Sequence, residues 1–460
     1  MLVTPTTHAS SREILLMSTD DRSEGGPANG TRRRFLGGLT AAAGAAHAAF
    51  RRDALARSVG AGRDAQGEPA NELAGNEDYW SQIQRCFDAD RTLINLNNGG
   101  VSPSPSHVLE QMIRDQRFCN ELPAYHMWQV LEPRVETVRA SLARQFGCDP
   151  EEIAITRNAS EGMETLILGV DLARGDEVIV TDQNYPRMLN TWDQRARRDG
   201  IVVKRVSFPT PLASPGQFVE RIAAAITPRT RVIEFPHITN LTGQILPVRE
   251  VVHLARERGI PVFVDGAHSF AHFPFTRDQL DCDFFATSLH KWLLAPIGTG
   301  MLYVRKARIR SIWPLMAAPS DLDENIRKYE EIGTHPAANH NAIAAALTFH
   351  QSIGDERKAA RLRYLRDRWA RPIRQADRRV TVWTPLDDDQ ASCGIALVGI
   401  EGIEPAKLSD HLFARHKIVT VAIQHKDFSG IRVTPNVYTT PREIDAFAEA
   451  LRRVLAAGIS

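Results

Sequence analysis

The sequence predicts an α/β protein: a large domain with a mostly parallel, seven-stranded sheet flanked by helices, followed by a smaller C-terminal α+β domain. Two observations carry this. From about residue 150 short apolar runs alternate with helical patterns. The chemically expressive residues then fall just after those runs, where ligands bind in open parallel sheets. A chain of 460 residues is long enough for more than one domain.

At the N-terminus, residues 1–30 are polar, and Thr31-Arg32-Arg33-Arg34-Phe35-Leu36 precedes an Ala/Gly-rich apolar run from Gly37 to Phe50. Ala46-His47-Ala48 supplies the small-x-small pattern of a cleavage site. Residues 1–50 therefore read as a twin-arginine signal peptide, with Met17 as an alternative start. The reading implies the twin-arginine export machinery as a partner, a periplasmic or secreted destination and no membrane anchor. Residues 51–76 read as a linker and 77–104 as an N-terminal segment.

The expected strands are Glu152–Thr156, Glu177–Thr181, Ile201–Val206, Arg231–Phe235, Pro261–Val264, Phe284–Thr287 and Gly300–Val304. Helical patterns fall at Gly162–Val170, Gln217–Ile226 and Val248–Arg258. After the first strand, Asn158 with Glu161 forms the pattern of a capping box, and Ala159 and Ser160 offer N–H groups and a hydroxyl at a helix start. After the fifth comes Asp265, a carboxylate at the end of a buried strand that needs a cation, a metal or a protonated ring nitrogen, unless it is only a helix cap.

After the sixth comes Ser288-Leu289-His290-Lys291-Trp292. Of the eight lysines only Lys291 follows a strand end in the parallel region and leads into an apolar, Gly-rich return. Desolvation lowers the pKa of such an amine, which suits an imine-forming nucleophile. Lys204 lies within a strand and reads as exposed. Lys306 and the C-terminal lysines read as solvated surface.

Bulk composition excludes other classes. Fifty-six Lys and Arg balance 55 Asp and Glu, a net charge of +1, which gives no footprint for nucleic acid or an anionic membrane. The five cysteines are scattered, with no C-x-x-C and no zinc spacing, so they read as free thiols and no metal site is expected.

The DGAHSF segment (Asp265–Phe270) and the SLHKW segment (Ser288–Trp292) resemble the class V aminotransferase family, fold type I of the pyridoxal 5'-phosphate enzymes, over about Leu93 to Ala450. The resemblance implies a large cofactor-binding domain at 105–310, a small domain at 325–455 and a cleft between them. It implies Lys291 as the Schiff-base lysine and α-proton shuttle, and Asp265 as partner of the pyridinium nitrogen. His268 would lie near the phenolic oxygen or the substrate. Ala159, Ser160, Ser288 and His290 would contact the phosphate.

The resemblance also makes Tyr185 the ring-stacking aromatic and Asn240, in Asn240–Pro247, a contact to the cofactor–substrate system. Gly333-Thr334 would reach the phosphate of a neighbouring subunit, which implies a homodimer. Arg432 would bind the carboxylate of a small amino-acid-type substrate. Leu96–Pro103 and Asn120–Trp128 resemble the isopenicillin N epimerase branch, and their aromatics are candidates for a substrate pocket or for core.

Cysteine desulfurases of this family need a cysteine in the C-terminal domain. The only one after Lys291 is Cys393, in a segment that reads as a strand, and the loop 420–431 has none. Desulfuration through a persulfide is therefore disfavoured. The expected activity is amino-group transfer, with epimerisation, in which Tyr185 is the second acid, or β-elimination as alternatives. A degenerate binding protein is the non-enzymatic alternative.

Overall fold

The computed structural model describes residues 54–459. The expected signal peptide, with Arg32 and Arg33, lies outside the described residues.

Strand β1 (Ile94–Asn95) precedes the main sheet, which is built from β2 (Ile153–Thr156), β3 (Glu177–Thr181), β4 (Val202–Val206), β5 (Thr230–Pro236), β6 (Val262–Asp265), β7 (Phe284–Ser288) and β8 (Gly300–Val304). The order across the sheet is β4-β3-β5-β6-β7-β8-β2. Only β8 runs antiparallel to its neighbours. Because helices cover both faces, the inner strands are buried on both sides and read as unbroken apolar runs. In β3, Val178 and Val180 pack on one face with Met163 and Trp192, while Ile179 packs on the other with Phe235 and Val264. Strand β4 lies at the edge, where Lys204 is half-buried and pairs with Glu177 at 2.6 Å.

The chain leaves β3 for β4 on one side and returns to β5 on the other. This reversal opens a crevice at the carboxyl ends of the strands.

The second sheet is antiparallel, with β9 (Val380–Val382), β10 (Ala396–Ile400), β12 (Val421–Gln424) and β13 (Ser429–Val433) in the order β12-β13-β10-β9. Helices Asp355–Ala376 and Pro441–Ala457 supply Trp369, Phe447 and Leu451 to its core. Strand β11 (Ile418–Val419) pairs in parallel with β1, so the N-terminal segment is stitched into the C-terminal domain. No described helix is long and apolar enough to cross a membrane.

Four expectations change. The stretch read as a linker is folded: residues 54–64 and Ala70–Leu73 are helical, and Ala54, Ala61, Ala65 and Leu73 pack with Trp80 and Phe349. Small side chains make this possible, since a Cβ on Gly62 would lie 2.2 Å from the Ser352 carbonyl oxygen. Low hydrophobicity there reflects close packing and not solvation. Helix Ala337–Ile353, expected in the small domain, puts Ala342, Ile343, Ala346 and Leu347 into the core of the parallel sheet.

The expected loop 420–431 is a hairpin of β12 and β13. Cys393 precedes β10 in a non-strand segment.

Candidate active site

A cavity of about 450 Å3 lies at the carboxyl ends of the strands. Ala159, Ser160, Tyr185, Asn240, Asp265, His268, Ser288, His290, Lys291 and Arg432 all line it. Thr334 does not; it is exposed beside Gly333, on a different stretch of surface.

The phosphate-type end is built where β2 and β7 stop. Asn158 caps helix Ala159–Gly169, its Oδ1 accepting from the Glu161 N–H at 2.8 Å. The expected capping box is only half formed, because the Glu161 carboxylate accepts from the Arg157 N–H at 2.5 Å instead. Ser288 accepts from the Ala159 N–H at 3.0 Å, which brings the two strand ends together under the helix start. His290 donates from Nδ1 to the Thr299 carbonyl at 2.9 Å, so its other nitrogen is the free one.

Asp265 ends β6, is 6% exposed and accepts from the Ala267 N–H at 2.9 Å. It forms no ion pair among the described residues, and burial raises its pKa against that N–H bond and the field of Lys291. A cation facing it from the cavity would reverse this.

Lys291 touches the cavity but is enclosed by protein, and burial brings its amine down to about 8. Its Nζ lies 3.1 Å from His268 Nε2. The imidazole is held neutral by burial first and by Lys291 second, and its Nδ1 has no partner.

Arg432 sits mid-strand in β13. It donates to the Asn240 carbonyl at 2.9 Å and to Asn97 Oδ1 at 3.0 Å, and its Nε is buried without a partner. Burial lowers its pKa to about 10, so it is still a cation at neutral pH. A buried guanidinium without a carboxylate is built to receive an anion.

Some site residues carried no local signal. Gly99 and Gly100 line the cavity because Gly99 donates to Thr434 Oγ1 at 2.9 Å, a contact made across most of the chain. Glu234 is fully buried and pushed up to about 8 by burial and by Asp265. It accepts from Asn184 at 2.5 Å, and Asn184 holds the turn that presents Tyr185. Arg187 also lines the cavity. Its signal was available: a basic residue in the first turn of a helix opposes the helix dipole. Tyr125 and Trp128, candidates for pocket or core, are 56% and 48% exposed and do neither.

A lysine and a carboxylate at adjacent strand ends, beneath a helix start in a sheet of this order, define a fold type I pyridoxal phosphate enzyme. Residues 94–447 match the aminotransferase class-V family, and the chain belongs to it. It is 29% identical to isopenicillin N epimerase of Streptomyces clavuligerus over 389 residues, covering 81% of this chain and 97% of that protein. The isopenicillin N epimerase of Amycolatopsis lactamdurans is 30% identical over 393 residues, 82% of this chain and 98% of that one. In fold it is similar to the cysteine desulfurase CsdA of Escherichia coli, with a TM-score of 0.70 and 24% identity, over 82% of this chain and 98% of that one.

The residues fit pyridoxal 5'-phosphate. The unpaired buried Asp265 suits a protonated ring nitrogen, the lowered Lys291 amine suits an aldehyde, and the helix start at Ala159 and Ser160 suits the phosphate.

Proposed function

We propose that the protein moves the α-proton of an amino-acid-type substrate, with epimerisation as the outcome. The observation that carries this reading is a pair of separate proton carriers on one cavity. Lys291 with His268 is one, and Tyr185, on another element, is the second. Similarity to two isopenicillin N epimerases along nearly their whole length supports it.

When bound, pyridoxal phosphate supplies the electron sink that makes the α-proton acidic. Asp265 would pair with the ring nitrogen and keep it protonated. Arg432, braced by Asn97 and Asn240, holds the substrate carboxylate. Lys291 takes the proton, and His268 lies within hydrogen-bonding distance to relay it. Tyr185 returns a proton from its own wall.

Amino transfer is the second reading, favoured by the 3.1 Å contact of Lys291 with His268, since one relay suffices to carry a proton along one face. A persulfide route is disfavoured, because Cys393 is fully buried, lines no part of this cavity and has its thiol pKa raised by burial.

The test is incubation of the holoenzyme with single-enantiomer amino acids in deuterated water without a keto acid. Loss of optical purity with α-deuterium incorporation supports epimerisation. Conversion of the cofactor to its amine form with release of a keto acid would sink it in favour of amino transfer. Tyr185→Phe should retain deuterium incorporation and lose inversion.

The export and dimer readings stand as further proposals from sequence. Lysine at Arg32 and Arg33 should abolish periplasmic recovery, and sedimentation should give a dimer that Thr334 substitutions weaken in cofactor affinity.

A further inference from the structure

The phosphate end of the cavity is short of positive charge. A phosphate monoester carries about −1.5 to −2 at neutral pH. The groups identified there, at Ala159, Ser160, Ser288 and His290, are all neutral. His290 commits one nitrogen to the Thr299 carbonyl, and burial lowers the basicity of the ring.

Three arginine or lysine side chains line the cavity: Arg187, Lys291 and Arg432. Lys291 would be engaged by the cofactor's aldehyde. Arg432 is fixed on Asn97 and Asn240. Among the described residues, the Arg187 side chain has no ion pair and no hydrogen bond.

Helix register says where Arg187 lies. Helices Ala159–Gly169 and Pro186–Asp199 follow the parallel strands β2 and β3 and run side by side. Arg195 donates to the carbonyls of Ile167 and Val170, each at 2.7 Å. One turn earlier, Thr191 Oγ1 meets Glu164 Oε1 at 3.4 Å. A further turn back sets Arg187 abreast of Ser160, and both residues line the cavity.

The helix itself does not explain an arginine here. Its first turn has no acidic residue to pair with, and the dipole repels a cation at that end. We infer that Arg187 is a cofactor-phosphate residue, its guanidinium pairing with the phosphate held at the start of helix Ala159–Gly169. The inference rests on the placement of the phosphate at Ala159 and Ser160.

Apo-protein, wild type and Arg187→Gln, is titrated with pyridoxal phosphate and separately with pyridoxal, which lacks the phosphate. The variant should bind pyridoxal phosphate about tenfold to a hundredfold more weakly and pyridoxal unchanged, with Arg187→Lys recovering part of the loss. The phosphorus NMR signal of the bound cofactor should be insensitive to pH from about 5 to 8 in wild type and should titrate in the variant.

Equal weakening toward both compounds would mean a role in folding and would overturn the inference. Unchanged cofactor affinity with a raised substrate KM would assign Arg187 to the substrate and overturn it as well. A wild-type chain that takes up no cofactor overturns the cofactor reading, a result visible before any variant is compared.

Discussion

Two lysines meet at Trp292: Lys291, next to it in the chain, is open to the cavity, and Lys358, bonded to its carbonyl, is sealed in the interior. Burial brings Lys291 down to about 8 and Lys358 to about 7, so a lowered pKa does not by itself tell them apart. Their surroundings differ. Lys291 opens onto the cavity, next to His268 and in the field of Asp265. Lys358 is 1% exposed and donates to the Trp292 carbonyl. Behind Trp292, His272 lies flat on the indole at 3.6 Å, accepts from the Gly394 N–H at 2.9 Å and donates to the His268 carbonyl at 2.7 Å. The sealed lysine and His272 brace Trp292, the residue next to the open lysine. A lowered pKa marks burial; access and partners mark chemistry.

The sharpest way to break this comparison is to remove each amine. Lys291→Ala should lower turnover by about a thousandfold or more and leave no lysine labelled by borohydride reduction. Lys358→Met should still be labelled at Lys291, while losing about 1 to 3 kcal/mol of stability because the Trp292 carbonyl is left unpaired. Peptide mapping of the reduced holoenzyme reads both, and a label on Lys358 would end the comparison.

The next effect concerns the buried guanidinium on the open side. Arg432→Ala should reduce kcat/KM for a carboxylate substrate by about a hundredfold, chiefly through KM. An analogous amine without the carboxylate should react equally with both proteins. A smaller loss follows from Gly243, in the loop that carries Asn240. Its φ is +74° and an added Cβ would lie 2.4 Å from the Ile395 carbonyl oxygen. Gly243→Ala should cost about 1 to 3 kcal/mol in thermal or denaturant unfolding. Because the Asn240 carbonyl accepts from Arg432, it should also raise KM, by less than Arg432→Ala does.

The same contrast explains what could be read from the sequence. Lys291, Asp265 and Ser288 were legible because each follows an apolar run whose length and position name it a buried strand. Arg432 and Asn240 came from resemblance, since nothing local distinguishes them. Lys358, among the C-terminal lysines that read as solvated surface, is instead buried. It sits in a helix rich in charge, Asp355–Ala376, and only the tertiary contact with Trp292 shows that its face is buried. Arg187 carries a weak signal of its own, a cation set against the dipole at a helix start, but nothing local says what it faces. Asn97 and Gly99 reach the site through β1, whose partner strand is more than 300 residues away.

The last effect is on the pH dependence of stability and begins with the sealed lysine. Its folded-state pKa, about 7, lies below the ordinary 10.5. Between those values the unfolded chain binds more protons than the native one, so stability rises with pH across that window and falls as pH drops toward 7. The full slope for one such group is about 1.4 kcal/mol per pH unit. Lys291 contributes with the same sign in the apo-protein, over the narrower window from about 8. Denaturant unfolding of the apo-protein at pH values of about 7 and 9 should therefore show wild type gaining stability. Lys358→Met and Lys291→Met should each gain less than wild type. Equal gains in wild type and Lys358→Met would mean that Lys358 keeps its charge in the folded protein, and would overturn its reading as a sealed, uncharged brace.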